Sequence, residues 1–364
     1  MIRRVLMTAD AAGGVWNYAL ELAHGFAERG VETTLVVFGP EPPPAPGIDV
    51  RHRSYKLEWM EDPWDDVYRS GDWLLELESE IGPDVIHLNG YAYGDVPFFA
   101  PKLVVAHSCV VSWWRAVHGC AAPPAWDEYR RRVTRGLRQA DLIVAVSRAM
   151  RNELACHDDC AVQVIPNGRD PRRFRCAPKE NFIFASGRLW DQAKNIQLLD
   201  RIAPSLPWPI YAAGDGGKFS NLAALGGLSG EEIAEWFARA AIYAHPARYE
   251  PFGLSVLEAA LSGCALVLGD IPSLRENWDG AALFAPPDSP GEFAGRLQVL
   301  VESELLRKQF QESARKRAKF FHASKMVNAY LDAYGWLRSQ SSATFKSFTN
   351  PRYSRSRSES WLNQ

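Results

Sequence analysis

The sequence predicts an α/β protein made of two doubly wound parallel-sheet domains. Three observations predict it. An apolar run at residues 4–8 passes through Asp10-Ala-Ala-Gly13-Gly14 into a helical pattern and then a second apolar run at residues 33–38, the opening strand–turn–helix–strand unit of a parallel sheet. The same alternation restarts at residues 182–185, after a run of turn residues, Pro166-Asn167-Gly168-Arg169-Asp170-Pro171. The chain has 364 residues, enough for two domains of ordinary size.

In order along the chain, the first helix is carried by Val15, Tyr18, Ala19, Leu22 and Phe26 and closes at Arg29-Gly30. Residues 41–47 are Pro-rich and read as a stiff surface connection. Residues 57–66 hold Trp59 and Trp64 among Glu58, Glu61, Asp62 and Asp65, and residues 73–81 are helical in pattern. Strands follow at 84–89, 103–106, 141–146 and 163–165, with a helix bearing five arginines at 128–138. That helix reads as a solvated face, with a membrane-surface patch as the second choice. The domain boundary falls at residue 170. Beyond it come a strand at 182–185, a helix to about Ala203, a strand at 209–213 and a capped helix from Ser229-Gly-Glu231-Glu232 to about Ala240. Strands at 242–244 and 265–268 bracket a mostly apolar helix that contains Glu258, and residues 288–320 are helical and charged. Ser324 caps a final helix striped by Met326, Val327, Tyr330, Leu331 and Tyr334. The domains are thus 1–170 and 171–322, followed by a helix at 323–338. The Ser/Arg-rich residues 339–364 are too polar to fold and are expected to be disordered.

Composition narrows the function. A net charge of -2 gives no general attraction to nucleic acid or anionic membrane, so no nucleic-acid partner and at most peripheral membrane contact are expected. The N-terminal apolar run is too short for a signal peptide and no segment approaches the roughly 18 apolar residues of a spanning helix, so a cytoplasmic location is expected. The six cysteines, Cys109, Cys120, Cys156, Cys160, Cys176 and Cys264, lack zinc-site spacing and read as free thiols; no metal is expected. NAD is not expected either. The first turn is not Gly-x-Gly-x-x-Gly, and the second strand ends in Phe38-Gly39-Pro40 with no acid to hold a ribose.

The chemistry concentrates at Glu250-Pro251-Phe252-Gly253-Leu254, followed by Glu258. Pro251 suits the first turn of a helix, so Glu250 lies before that helix and Glu258 one to two turns inside it. The free N–H groups of Phe252, Gly253 and Leu254 then form an anion site beside a carboxylate, which fits a ligand with both phosphate and hydroxyl groups. Arg188 and Lys194, directly after a strand, supply a planar fork and a point charge for the same ligand. His107 stands at the carboxyl end of a strand, the edge where such folds bind ligands. Trp113, Trp114, Arg115 and His118 are candidates for an acceptor wall, because aromatic rings stack on sugars and an arginine holds an anion. Each has a plain alternative: a dipole-favoured helix acid for Glu250, a solvated acid for Glu258, surface cations, a structural histidine and core tryptophans.

The stretch Glu250-Pro-Phe-Gly-Leu-x-x-x-Glu258 resembles the Glu-x7-Glu signature of the retaining glycosyltransferases of family 4, which have the GT-B fold, and the resemblance runs from about Val5 to about Leu337. It implies transfer of a hexose from a nucleotide diphosphate sugar to a hydroxyl acceptor with retained configuration and without metal or other cofactor. By resemblance, Gly13 and Gly14 let donor phosphate and acceptor come close, Arg188 and Lys194 hold the diphosphate, and Glu250 contacts sugar hydroxyls. Glu258 would hold the ribose, His107 would position the sugar or acceptor, Pro166-Asn167-Gly168 would lie at the hinge and the last helix would return to the first domain. Only seven residues separate Gly217 from Leu225, where relatives usually have a helix and another strand that line the nucleobase pocket. A sugar-nucleotide epimerase or hydrolase, and a binding protein without turnover, remain as alternatives. Donor base, donor sugar, acceptor and oligomeric state are not readable from the sequence.

Overall fold

The structure, a computed structural model, describes residues 1–347 apart from residues 12, 156 and 158–160. Cys156, Cys160 and the tail beyond residue 347 therefore lie outside the described residues.

The first sheet contains β1 (Arg4–Asp10), β2 (Glu32–Phe38), β3 (Asp49–Arg53), β4 (Val85–Leu88), β5 (Lys102–Ala106), β6 (Leu142–Ala145) and β7 (Val162–Val164), all parallel, in the order β3-β2-β1-β4-β5-β6-β7. Helices α1 (Gly14–Ala27), α2 (Trp64–Ile81), α3 (Val110–His118), α4 (Asp127–Gln139) and α5 (Arg148–Leu154) connect the strands. The second sheet contains β8 (Glu180–Ser186), β9 (Ile210–Ala213), β10 (Ala223–Gly226), β11 (Ala240–His245), β12 (Ala265–Gly269) and β13 (Leu283–Ala285), again all parallel, in the order β10-β9-β8-β11-β12-β13. Its helices are α6 (Ile196–Ile202), α7 (Gly230–Arg239), α8 (Leu254–Leu261), α9 (Pro272–Trp278), α10 (Pro290–Glu302) and α11 (Glu304–Ala318), and α12 (Ala323–Ser347) follows.

Both sheets reverse their winding between adjacent strands, β1 beside β4 and β8 beside β11. Ligands of open parallel sheets bind at the carboxyl ends of the strands at that reversal. The chain leaves β1 into Gly13-Gly14, β4 into Asn89, β8 into Gly187-Arg188, and β11 into the segment that carries Glu250. Topology alone thus brings the chemistry-bearing segments of both halves to one cleft.

Several elements differ from the sequence expectation. Helix α2 begins at Trp64 rather than residue 73, because Asp65 and Asp66 in its first turn complement the positive helix end. Strand β3 is an edge strand of mostly polar, partly exposed residues, so it has no apolar run to betray it. The short link after β9 lacks a helix but keeps the edge strand β10. Pro251 is not in the first turn of α8; the helix starts at Leu254 after Gly253, whose φ of 89° sets the entry angle. The last helix runs on to Ser347, past residue 338 where the sequence suggested a disordered tail.

The two strands of chain that pass between the domains lie side by side: Arg169 N–H donates to Phe321 O at 3.0 Å, and Ala323 N–H to Arg169 O at 3.1 Å. Helix α12 packs on α1, with the rings of Phe26 and Tyr334 5.6 Å apart. One apolar core fills the first domain and continues into Phe252, Leu257 and Trp278, and a second core lies on the other face of the second sheet around Leu199, Ile242, Phe293 and Leu297.

Backbone contact replaces side-chain packing where α4 meets the turn after β4. A Cβ on Gly136 would overlap the carbonyl oxygen of Tyr91, and one on Gly94 would overlap that of Gly136. Neither obstacle is a flexible side chain. Gly136→Ala is therefore expected to lower stability by about 1–3 kcal/mol or more, read as a fall in the urea midpoint; an unchanged midpoint would contradict this packing.

Candidate active site

Gly13 precedes α1 with φ 91°, and a Cβ there would sit 3.3 Å from Arg188 Nη1; a Cβ on Gly14 would sit 3.5 Å from Leu254 Cδ1. The two domains therefore meet through bare backbone on one side and the donor-side residues on the other. A larger residue at Gly13 would be strained in φ and would push Arg188 away.

Arg188 is held from below. Its Nη2 donates to Asp191 Oδ2 at 2.8 Å, and its guanidinium lies 5.6 Å from the exposed Trp190 ring. Asp191 is buried, and its Oδ1 accepts from Ala193 N–H at 2.9 Å and, across the cleft, from Trp113 Nε1 at 3.1 Å. Burial pushes the Asp191 carboxyl up, but Arg188 and these donors more than offset it, so the group is held below the ordinary range.

Lys194 Nζ donates to Glu250 Oε2 at 2.5 Å, and His245 Nε2 stands 3.0 Å from the same oxygen. Burial raises the Glu250 carboxyl, but Lys194 and then His245 overcome it and hold it well below the ordinary range. Fully buried His245 is lowered by burial, against the pull of Glu250, so it stays neutral and donates. Glu250 is thus an ionised, fixed acceptor and not a proton donor. Beside it, the N–H groups of Phe252, Gly253 and Leu254 make no hydrogen bond among the described residues, which leaves an open anion seat at the start of α8.

Glu258 lies in the second turn of α8 but is not solvated. Its Oε1 pairs with Arg169 Nη2 at 2.8 Å, while Arg169 Nη1 reaches Glu21 Oε2 of α1 at 2.9 Å. Burial raises the Glu258 carboxyl more than Arg169 lowers it. This Glu–Arg–Glu triad joins α1, the segment after β7 and α8.

On the first-domain wall, His107 is partly buried, its Nε2 lies 2.8 Å from Asn89 Oδ1, and its ring meets Tyr18 edge-on at 4.5 Å. Burial lowers it to about 3. Glu58, the acid directly before Trp59, is buried and accepts from the N–H groups of Tyr91 and Ala92; burial pushes it up to about 7.

Three of the four acceptor candidates form one ring cluster, with His118 5.6 Å from Trp113 and 4.4 Å from Trp114 at a tilt of 41°. Trp113 also turns toward the second domain and donates to Asp191. Arg115 pairs with Glu153 of α5, and both border a cavity of about 190 Å³ that also touches Arg248, Tyr249 and Glu250. On α4, Arg130, Arg131, Arg132 and Arg135 all have acidic partners, consistent with a solvated face. Cys120, Cys176 and Cys264 are free thiols, and among the described residues no three His, Cys, Asp or Glu side chains group to hold a metal. No helix of the described residues is long and apolar enough to cross a membrane.

Asp191, His245 and Arg169 escaped sequence reasoning. His245 carried the same signal as His107, a histidine at the carboxyl end of a parallel strand. Asp191 and Arg169 could not be found that way, because their partners Trp113 and Glu21 lie 78 and 148 residues away.

Two facing parallel-sheet domains with a cation-lined anion seat between them define a class, and the comparisons with known proteins name it. Residues 12–173 match Glycosyltransferase Family 4 and residues 169–317 match Glycosyl transferases group 1. The chain belongs to the glycosyltransferases of GT-B fold. It is 29% identical over 117 residues to a D-inositol 3-phosphate glycosyltransferase of Nocardioides sp., covering 31% of this chain and 25% of that protein. With a protein of the same name from Jonesia denitrificans it is 27% identical over 172 residues, 40% of each chain. The matched stretches thus span only a quarter to two-fifths of these relatives' lengths. Among solved structures, sucrose-phosphate synthase from Thermosynechococcus elongatus superposes with a TM-score of 0.81 at 18% identity, over 93% of this chain and 100% of that one. Anabaena HepE in complex with UDP and glucose superposes with a TM-score of 0.73 at 16% identity, over 92% of this chain and 100% of that one. These likenesses are of fold.

Arg169→Met leaves Glu258 buried without the cation that pairs with it, and leaves Glu21 only the exposed Arg173 at 3.7 Å. It is expected to cost about 3–5 kcal/mol near neutral pH. The Glu258 carboxyl, already raised by burial, would be raised further without Arg169, so the loss shrinks as pH falls. Melting temperatures of both proteins at about pH 8 and about pH 5 test this; a gap that widens toward acid would contradict the triad.

Proposed function

We propose that the protein transfers a hexose from a nucleotide diphosphate sugar to a hydroxyl acceptor, with retention at the anomeric carbon and without a metal ion. The observation that carries this reading is the convergence of Arg188, Lys194 and the free amides at the start of α8 on one seat opposite Gly13. The names of the two curated relatives and the UDP and glucose held by the Anabaena protein support it.

In the proposed reaction the bond between the anomeric carbon and the diphosphate oxygen breaks, the acceptor oxygen takes that position, and the hydroxyl proton leaves with the diphosphate or to water. Negative charge builds on the departing diphosphate. Arg188 and Lys194 are already ordered by Asp191 and Glu250, so they meet this charge with little reorganisation, and the α8 amides add the helix dipole. That set supplies the role a divalent cation would otherwise fill. Glu250, ionised and fixed by His245 and Lys194, accepts hydrogen bonds from the donor sugar hydroxyls. Glu258 keeps Oε1 on Arg169 and offers its other oxygen to the ribose. The absence of a helix between β9 and β10 favours one rival, a protein that binds nucleotide sugars without turning them over.

Arg188→Ala is expected to lower kcat/KM for transfer by about 10²–10³-fold while the circular dichroism spectrum stays that of the wild type. Near-normal transfer by this variant would remove Arg188 from the site, and nucleotide-sugar binding by the wild type with no transfer to any acceptor would favour the rival.

A further inference from the structure

A network of buried polar groups behind His107 ends on one atom, the side-chain oxygen of Asn89. Asn89 follows β4 and is tied to β1 twice: its backbone N–H donates to Thr8 Oγ1 at 2.8 Å, and its Nδ2 donates to Thr8 O at 2.6 Å. The second bond fixes the orientation of the amide, because a carbonyl can only accept. Oδ1 must then be the atom that faces the histidines, at 2.8 Å from His107 Nε2 and 3.2 Å from His87 Nε2. An amide oxygen can only accept, so His107 Nε2 carries the proton. His107 Nδ1 has no hydrogen-bond partner among the described residues, and the residue as a whole is only partly buried. Tyr334 of α12 closes the rear, with its hydroxyl 2.5 Å from His87 Nδ1.

We propose that Asn89 is a positioning residue of the cleft: it holds His107 as the neutral Nε2–H tautomer, so that Nδ1 faces the substrates as a hydrogen-bond acceptor for a hydroxyl group. This deepens the transferase reading and rests on it for the identity of the hydroxyl, but not for the tautomer. The titratable groups that face His107 are Tyr18 from α1 and His87 from β4, with Tyr330 and Tyr334 of α12 behind them, and none of these carries charge near neutral pH. His87 is itself lowered to about 3, first by burial and then by His107, so both rings stay neutral together. An imidazolium at this place would present an N–H to the hydroxyl instead of a lone pair.

The test is a long-range ¹⁵N–¹H correlation spectrum of the full chain with labelled histidine; there are eight histidines, and His107→Phe assigns the resonance of interest. The wild type is expected to show His107 as the neutral Nε2–H form from about pH 8 down to about pH 5. An Nδ1–H form, or a titration near the ordinary histidine value of about 6.5, would overturn the proposal. Asn89→Asp keeps an acceptor toward His107 and adds a charge while giving up the Nδ2–H donor to Thr8 O, so in a variant whose circular dichroism spectrum stays that of the wild type it should raise the His107 pKa into or above the neutral range. Transfer by this variant should then decline as pH falls through the raised value, where the wild type is flat. A His107 signal unmoved in Asn89→Asp would also overturn the proposal. Two arms locate the hydroxyl by titrating UDP-, GDP- and ADP-glucose, with the free nucleotides as controls, into His107→Phe. A donor Kd raised about tenfold, with the free nucleotide unchanged, puts the hydroxyl on the donor sugar. An unchanged donor Kd with reduced transfer puts it on the acceptor. If the wild type holds the predicted tautomer yet binds and transfers no nucleotide sugar, the transferase reading fails while the tautomer assignment stands.

Discussion

The close approach of Arg188 to the backbone at Gly13 is the constraint on which the site depends. A guanidinium from the second domain can lie against the first only because no side chain stands there, and the φ of 91° at Gly13 makes that position a poor one for any other residue. The approach is itself a product of topology. Each sheet reverses its winding beside its first strand, and the cleft forms where the two reversal points face. Backbone bonds between Arg169 and the Phe321–Ala323 segment, and the packing of α12 on α1, hold the halves in that relation.

Charge in the cleft is balanced before any ligand arrives. Arg188 has Asp191, Lys194 has Glu250, and Arg169 has Glu21 and Glu258. Such pairing keeps long cationic side chains in one geometry, which is where a preorganised site gains over water. It also means that the pairs alone leave little net positive charge for a diphosphate, so the unbonded amides at the start of α8 matter as much as the two cations. Trp113 adds a link between the halves: by bonding Asp191 from the first domain, it ties the setting of Arg188 to a contact across the cleft.

Much of this was legible in the sequence because it depends on local pattern. Alternating apolar runs and glycine turns located most strands, and Arg188, Lys194, Glu250 and Gly253 stood out because they follow strands or begin a helix. Elements without an apolar period were not legible: β3 is an edge strand with Val50 as its one apolar residue, β10 is only the four residues Ala-Ala-Leu-Gly, and α3 and α5 are short. Ion pairs and hydrogen bonds between distant residues were the other gap. Reading Glu258 alone gives a helix acid, and only its meeting with Arg169 and Glu21 reveals a buried triad. The same holds for Asn89, whose importance lies in what Thr8, His87 and His107 do around it.

The most direct test of the central claim, a diphosphate seat made of protein cations and amides, is a thermal-shift comparison of nucleoside, nucleoside monophosphate and nucleoside diphosphate of each base with a chelator present. A ligand that binds only the folded state stabilises it by about 2.7 kcal/mol at one hundred times its Kd. We expect a diphosphate of one base to raise the melting temperature clearly, its monophosphate to do so weakly and its nucleoside hardly at all. A shift that appears only when a divalent metal is added, or equal shifts for nucleoside and diphosphate, would contradict the account.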